Sequence, residues 1–466
     1  MNATDLRRGR WLLPIAAFFL FQSASYAHNA DKELLDTLLG NGAITQSQYD
    51  RLMRDGAHDE PMAEPAPKVV EQAPAKQPNA VKASHGSKGF RLETADGNWQ
   101  TNLQWRAQFR YTNPTSGDPR NLSAFTTISE STVEARRLRM KIGGHGFQPW
   151  LKYYFEVDLQ PSRDFDGSGA SSSARVIDWR LDVAKWDWGG IRVGQWKIDY
   201  NRERVDSSGR QQFVERSIVN RVFTVDRQVG VQLRGHAFKE TNADLRWYVG
   251  AFTGEGRGVR SSDNNMMYVG RLQWNFLGRD LALKQTDVEY TELPTASLAF
   301  GASTTSGPCT RWSSSGCGNL DGFTSAGAAD VDQFEVDQWV QEFAYKHRGL
   351  SVQQEYHRKT VTDRVLGTES DLTGGYIQSG YFFHNVFDSV PKPLELALRY
   401  AFVEEPSRDN LNLDNDREEI SLAANWFFKG HNNKLTLDYS HLRLDDAFAA
   451  QDASRNRVRL QWDVSF

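Results

Sequence analysis

The sequence predicts an all-β protein, a transmembrane antiparallel β-barrel of about 16 strands preceded by a short helical segment on the periplasmic side. Three observations predict it. First, residues Arg457 to Phe466 alternate without a fault: Val458, Leu460, Trp462, Val464 and Phe466 fall on one side, and Arg457, Arg459, Gln461, Asp463 and Ser465 on the other. A period of two sends successive side chains to opposite faces of a sheet, and one apolar face beside one polar face suits lipid outside and water inside. Second, Arg7, Arg8 and Arg10 precede an apolar run from Trp11 to Phe21, followed by the small residues Ser25 and Ala27. That is the pattern of a secretory signal peptide ending at Ala27, and the run is shorter than the roughly 20 apolar residues of a spanning helix.

The third observation is composition. Hydrophobic residues make up 39% of the chain and mean hydropathy is −0.60, yet there are 14 Trp, 15 Tyr and 26 Phe. A polar lumen averaged with an apolar exterior gives this combination. Net charge is −4, and removing a leader of net +2 leaves −6, so nothing points to nucleic acid. The two cysteines, Cys309 and Cys317, flank the polar stretch Thr310–Gly316, and in an exported chain they are expected to form a disulfide clasping an exposed loop.

The chain divides into four parts. Residues 1–27 read as signal peptide. Residues 28–54 read as a short helical hairpin: Leu34, Leu35, Leu38 and Leu39 mark one helix, stopped by Gly40-Asn41-Gly42. A second follows Thr45, with Gln48 closing a capping box and Ile44 and Tyr49 spaced as a staple. Residues 55–88 are rich in Pro, Ala, Lys and Glu and read as a disordered linker. Residues 89–466 read as the barrel. Within it Asn98–Tyr111 alternates most clearly, with Trp99, Thr101, Leu103, Trp105, Ala107, Phe109 and Tyr111 facing one way. Shorter alternating runs recur to the end of the chain and bring the count to about sixteen, with the stretches around Ala282 and Phe334 ambiguous.

A barrel of that size is too wide for its side chains to fill, so it holds water or a folded-in loop. Arg106, Arg110, Arg137, Arg139, Lys141 and Lys152 lie on the polar face of the early strands and are expected to point inward. A connection of about thirty residues then carries Arg202, Arg204, Arg210, Arg216 and Arg221, with Arg227 just beyond, among Asp199, Glu203, Asp206, Glu215 and Asp226. Guanidinium groups match anion oxygens with paired hydrogen bonds. The sequence therefore assigns an anion pathway to Arg106, Arg110, Arg137, Arg139, Lys141, Arg202, Arg204, Arg216 and Arg227. The alternative is that these arginines pair with their acidic neighbours and only hold the loop down. Histidines are scattered without a nucleophile or acid partner, and the acids show no metal-ligand spacing, so neither an enzyme, a metal nor a cofactor is predicted.

At the long connection the sequence resembles the phosphate-selective porin O and P family. The stretches are Gly194-Gln195-Trp196-Lys197, Glu203-Arg204, Ser207-Ser208, Phe213–Ser217 and Arg227–Val231, supported by Ala135–Arg139, Gly375–Phe382 and Asn425–Phe428. The resemblance spans Gly89 to Phe466. It implies a sixteen-stranded, trimeric, water-filled channel of a Gram-negative outer membrane that admits anions such as phosphate or polyphosphate. It also implies a helical segment ahead of the barrel, in contact with the periplasm, and recognition of the terminal strand ending in Phe466 by the barrel assembly machinery. Outer-membrane lipid would surround the apolar face. A general or sugar-admitting pore is the alternative within the channel class, and an outer-membrane enzyme or plugged structural barrel lies outside it.

Overall fold

The computed structural model describes residues 32–55, 80–114, 125, 130–159, 174–258, 264–313, 316–327, 331–408, 413–446 and 451–466. The expected signal peptide lies outside these residues, as does most of the expected linker. The chain forms two units, Met1–Ala75 and Lys76–Phe466.

The first unit contains α1 (Lys32–Gly40) and α2 (Gln46–Asp55). The Ala43 N–H donates to Leu38 O at 2.9 Å and Gly42 takes a φ of 70°, which ends α1 in the left-handed conformation that costs glycine least. The Thr45 N–H donates to Gln48 Oε1 at 2.9 Å and the Gln48 N–H to Thr45 Oγ1 at 3.4 Å, a reciprocal capping box. The Tyr49 hydroxyl donates to Asp36 at 2.5 Å and ties α2 to α1.

The second unit opens with the hairpin β1 (Val81–Gly86) and β2 (Gly89–Thr94). The long strands follow as β3 (Gln100–Asn113), β4 (Thr132–Gly146), β5 (Gln148–Asp158), β6 (Arg175–Trp186), β7 (Gly189–Lys197), β8 (Arg227–Ala237), β9 (Leu245–Phe252), β10 (Met267–Trp274) and β11 (Thr295–Gly307). A small hairpin, β12 (Arg311–Ser313) and β13 (Gly316–Gly318), precedes β14 (Phe334–His347), β15 (Leu350–Asp363), β16 (Thr368–Tyr381), β17 (Leu394–Arg408), β18 (Leu413–Phe427), β19 (Asn433–Asp446) and β20 (Gln451–Ser465). Two short helices, α3 (Arg202–Val205) and α4 (Val219–Phe223), lie between β7 and β8.

Among the described residues, sixteen strands, β3–β11 and β14–β20, pair antiparallel in chain order, and β20 returns to β3 from Val458↔Asn113 to Ser465↔Arg106. The ladder is therefore closed. Phe466 exchanges two backbone hydrogen bonds with Trp105, at 2.9 and 3.1 Å. Beyond that point β2 takes over the same edge of β3, from Phe90↔Leu103 to Glu93↔Gln100. The expected linker boundary at residue 88 thus moves back, because β1 lies inside it. All six β1 residues are exposed, so the strand rests on backbone pairing with β2 and leaves no burial pattern in the sequence.

The alternation read from the sequence sets the faces. Trp105, Phe109, Tyr111, Val458, Leu460 and Trp462 are exposed on the outer wall, while Arg106, Arg110, Arg457, Arg459 and Asp463 are buried on the inner one. Of the two ambiguous stretches, Phe334 begins β14 and Ala282 lies in a connection. A bulge between Gln108/Phe109 of β3 and Arg137/Ala135 of β4 interrupts the period at Arg136.

Cys309 and Cys317 are joined by a disulfide with Cα atoms 5.8 Å apart. The described residues of the loop they enclose are not exposed, contrary to expectation: Trp312 is 1% accessible and its indole N–H donates to Gly254 O at 2.5 Å. A single tryptophan in a serine-rich segment carries no periodicity, so its burial was invisible in the sequence.

Gly194 on β7 has a φ of 127°, and a Cβ there would lie 2.3 Å from Trp179 O of β6. Gly194→Ala should therefore destabilise the barrel by more than about 1 kcal/mol. The expected outcome is a smaller heat-modifiable, compact fraction on cold electrophoresis and a lower urea midpoint of the refolded protein.

A basic cavity beside the constriction loop

Residues 198–226, between β7 and β8, turn inward and cross the lumen. Ile198, Tyr200, Ile218, Val222, Phe223 and Val225 are buried in one apolar cluster with Val361, Leu372, Val403, Leu442 and Leu444 of the opposite wall. The loop folds inward because it has an apolar face of its own and the far wall offers a matching one. Burying each such side chain contributes roughly 1.5–3 kcal/mol.

Polar contacts fix its position around the circumference. Arg106 donates to Ser208 Oγ and Gln108 to Ser208 O, both at 3.1 Å. Glu355 on β15 accepts from the Glu203 N–H at 2.6 Å and from Asn201 at 3.0 Å. Glu419 accepts from the Ile218 N–H at 3.0 Å and Asp438 from the Val214 N–H at 2.9 Å. Inside the loop, Lys197 Nζ donates to the carbonyls of Arg204, Val205 and Asp206 at 3.1, 3.2 and 3.0 Å, and Arg216 to those of Glu203 and Asp206 at 2.8 and 2.7 Å. These cations satisfy carbonyls at the C-terminal end of α3 that have no helical partner.

The cations named from the sequence separate into two groups. Arg106 pairs with Asp463 at 3.3 Å, and Arg110 and Arg137 share Glu215 at 2.8 and 3.2 Å. Arg204 pairs with Asp226, and Arg227 with Asp178 at 2.5 Å. Arg202 donates to Gln353 at 3.1 Å and to Ala282 O at 2.6 Å. With Arg216, these seven side chains are buried and engaged: Arg106, Arg110, Arg137 and Arg202 join loop to wall, Arg204 and Arg216 brace the loop internally, and Arg227 ties β8 to β6. Only Arg139 and Lys141 of the nine line open space; Arg139 is bonded to Glu156 at 2.9 Å and Asp158 at 3.3 Å. Assigning the other seven to a pathway is corrected on physical grounds: alternation shows that a side chain points inward but not that a loop will cover it. A covered charge needs a partner.

Glu215 is the hub of this arrangement. Arg136, placed at the β4 bulge, joins Arg110 and Arg137 on it at 3.3 Å. Burial opposes its charge, but the guanidiniums of Arg137, Arg110 and Arg136 outweigh burial and hold the Glu215 carboxyl well below the usual range. Glu203 shows the reverse. Burial, reinforced by Glu355, raises its carboxyl to about 7, so its negative charge is only partly present at neutral pH.

The open space is a cavity of about 730 Å³ between β3–β8 and the loop segment Val205–Arg210. Nine lysines and arginines line it against four carboxylates, Glu156, Asp178, Asp182 and Asp199. Arg180, Arg192 and Arg234 project from β6, β7 and β8; Arg192 meets Asp182 at 2.5 Å, and Arg234 meets Asp199 at 3.3 Å. Arg180 lies 4.4 Å from the Tyr154 ring centroid. Among the described residues the side chains of Lys141, Lys152 and Arg210 have no hydrogen-bond or ion-pair partner, and Lys152 and Arg210 are exposed. A second cavity of about 420 Å³ shares Lys152, Asp182, Arg192 and Arg234 with the first, so the basic wall continues. Sequence reasoning missed Arg180, Arg192 and Arg234. Each strand carries one inward arginine there, and only the pairing across β6, β7 and β8 makes them a row.

A closed sixteen-stranded wall with an apolar exterior, a polar lumen and an inward-folded third long connection defines a porin of the outer membrane. A family model for the phosphate-selective porin O and P family matches residues 109–466, and the chain belongs to that family. Solved structures with this fold include a loop-deletion mutant of OmpT from Vibrio cholerae (10% identity, 78% of this chain and 99% of that one, TM-score 0.53). The anion-selective porin from Comamonas acidovorans is similar at 10% identity over 78% of this chain and 99% of that one, with a TM-score of 0.50. Salmonella typhi OmpF is similar at 13% identity over 80% and 100%, with a TM-score of 0.51. At these identities the likeness concerns the fold. A search of curated proteins finds no match. Family and fold are those of a channel rather than an enzyme.

Glu215→Gln removes the only charge that three guanidiniums share through direct contact. Loss of the common partner of a mostly buried cluster should cost on the order of 2–4 kcal/mol. Chemical unfolding of the refolded barrel, followed by tryptophan fluorescence, is expected to show the lower midpoint.

Proposed function

We propose that this porin passes small inorganic anions, phosphate among them, along the basic wall of β4–β8. The observation that carries the reading is the imbalance of nine cations over four carboxylates lining the open cavity, with Lys141, Lys152 and Arg210 unengaged among the described residues. A unit charge about 4 Å from a cation gains roughly 1 kcal/mol in bulk water and roughly 4 kcal/mol at an effective dielectric of 20. A row of such positions attracts an anion without trapping it at any one of them, which is what conduction requires. The family's name and the anion selectivity of the Comamonas acidovorans fold relative support the same reading.

The route runs from the exposed Arg210 at the constriction past Lys141 and Arg180 to Lys152, Arg192 and Arg234, which line both cavities. Arg180 and Arg234 are bonded to one carboxylate each and Arg192 to two, and a guanidinium with its five N–H groups keeps further donors for a passing oxyanion. Two aromatic rings of the cavity wall, Tyr154 and Trp196, are taken up by Arg180 and Arg192, which favours ions over sugars. Assembly as a homotrimer in outer-membrane lipid, a periplasmic position for the helical hairpin and recognition of the Phe466 strand by the assembly machinery belong to the same reading.

The test is reversal potential and single-channel current in planar bilayers under a potassium chloride gradient, with phosphate added afterwards. Anion preference with chloride current reduced by phosphate is expected; cation preference or indifference to phosphate would sink the reading. In the Lys141→Met, Lys152→Met, Arg210→Met triple variant, the anion-to-cation permeability ratio is expected to fall several-fold while the barrel stays folded, because none of the three holds another side chain.

A further inference from the structure

The lumen is not symmetric. Along β14–β19 the inward side chains are buried nearly throughout, whereas Lys141, Lys152, Arg180, Arg192 and Arg234 on β4–β8 are half-buried or exposed. The constriction loop covers the first wall, and a second element covers the loop. That element is the disulfide-closed hairpin β12–β13, which meets α4 of the constriction loop.

Three contacts seat the hairpin. Trp312 is buried in the same apolar cluster as Phe223, Phe252, Val336 and Val361. Lys359, wholly buried on the lumen face of β15, donates to Val222 O of α4 at 2.5 Å and to Thr310 O of the hairpin at 3.0 Å, so one ammonium ties the two loops together. That ammonium also stands 5.5 Å from the Trp312 ring centroid. On the other side the backbone at Gly256 presses so closely that a Cβ there would lie 2.6 Å from Cys317 N. The stretch Thr310–Gly316 contains no large apolar residue besides Trp312. Such a segment has no core with which to hold its own shape, and the Cys309–Cys317 bond supplies the restraint by limiting the conformations open to the released loop.

We propose that the β12–β13 hairpin is a plug, wedged by Trp312 and clamped by Lys359, that seals the β14–β19 side of the lumen and confines solute to the basic side, and that opening the disulfide releases it. The proposal rests on the channel reading above. Release would uncover α4 and widen the lumen over the constriction loop on the side without the arginine row, so extra current should come with weaker selectivity.

The experiment starts from wild-type channels already inserted in a planar bilayer, so that folding is not in question. Single-channel conductance and reversal potential are recorded, and dithiothreitol is then added. This dithiol is oxidised to its cyclic disulfide as Cys309 and Cys317 each gain a proton and become thiols. Conductance is expected to rise by up to about twofold as the lumen over the constriction loop widens, with the reversal potential moving toward zero. Trp312→Ala, measured oxidised, removes the wedge without touching the sulfurs and is expected to shift both quantities in the same direction. A rise in either measurement supports the plug. Conductance that is unchanged or lower in both overturns it. The starting reversal potential judges anion selectivity separately: an unselective channel whose current still rises on reduction would retain the plug and lose the anion reading.

Discussion

In lipid there is no water to satisfy a backbone N–H or C=O, and the whole molecule is arranged around that constraint. Strands can cross only if every edge is paired, so the sheet must close on itself. Closure falls to β20 and β3, which share eight register positions, and to Phe466, whose backbone completes the ladder on Trp105. The outer face is then free to be apolar, and Trp105, Phe109, Leu460 and Trp462 form part of it. The inward-facing polar side chains of the strands are delivered to one enclosed space.

Within that space a second constraint takes over. The loop between β7 and β8 has an apolar face that must be buried, and burying it covers charges on the wall behind. Each covered guanidinium then acquires a carboxylate or carbonyl partner: Arg106 with Asp463, Arg204 with Asp226, and Arg110, Arg136 and Arg137 around Glu215. These groups hold the constriction in place. What remains uncovered lines the open cavity, and that remainder is basic although the chain carries a net negative charge. Whole-chain charge is a poor guide to a lumen because most of the acids are spent on structure or lie on surfaces the solute does not meet. Outward-facing Glu335, Asp371 and Asp452, each paired with an arginine, are examples.

The fold was legible because lipid and water on opposite faces impose a period of two that nothing else in the chain imitates at such length. Every strand from Asn98–Tyr111 to Arg457–Phe466 that the pattern marked is a barrel strand, and the reciprocal Thr45–Gln48 cap is present. The capping box was legible because both partners lie within one turn. β1 was not, since its side chains are all exposed, and neither was the burial of Trp312, which depends on Gly254 and Lys359, residues distant in the chain.

By itself, then, the sequence determined which residues face lipid and which face the lumen, because that choice is made residue by residue through local alternation. Only the tertiary structure decided which inward cations line open space. Arg137 and Lys141 stand on the same face of the same strand, yet one is held by Glu215 and the other lines the cavity. The difference is made by a loop that starts more than fifty residues later in the chain, and by the cost of leaving a covered charge without a partner.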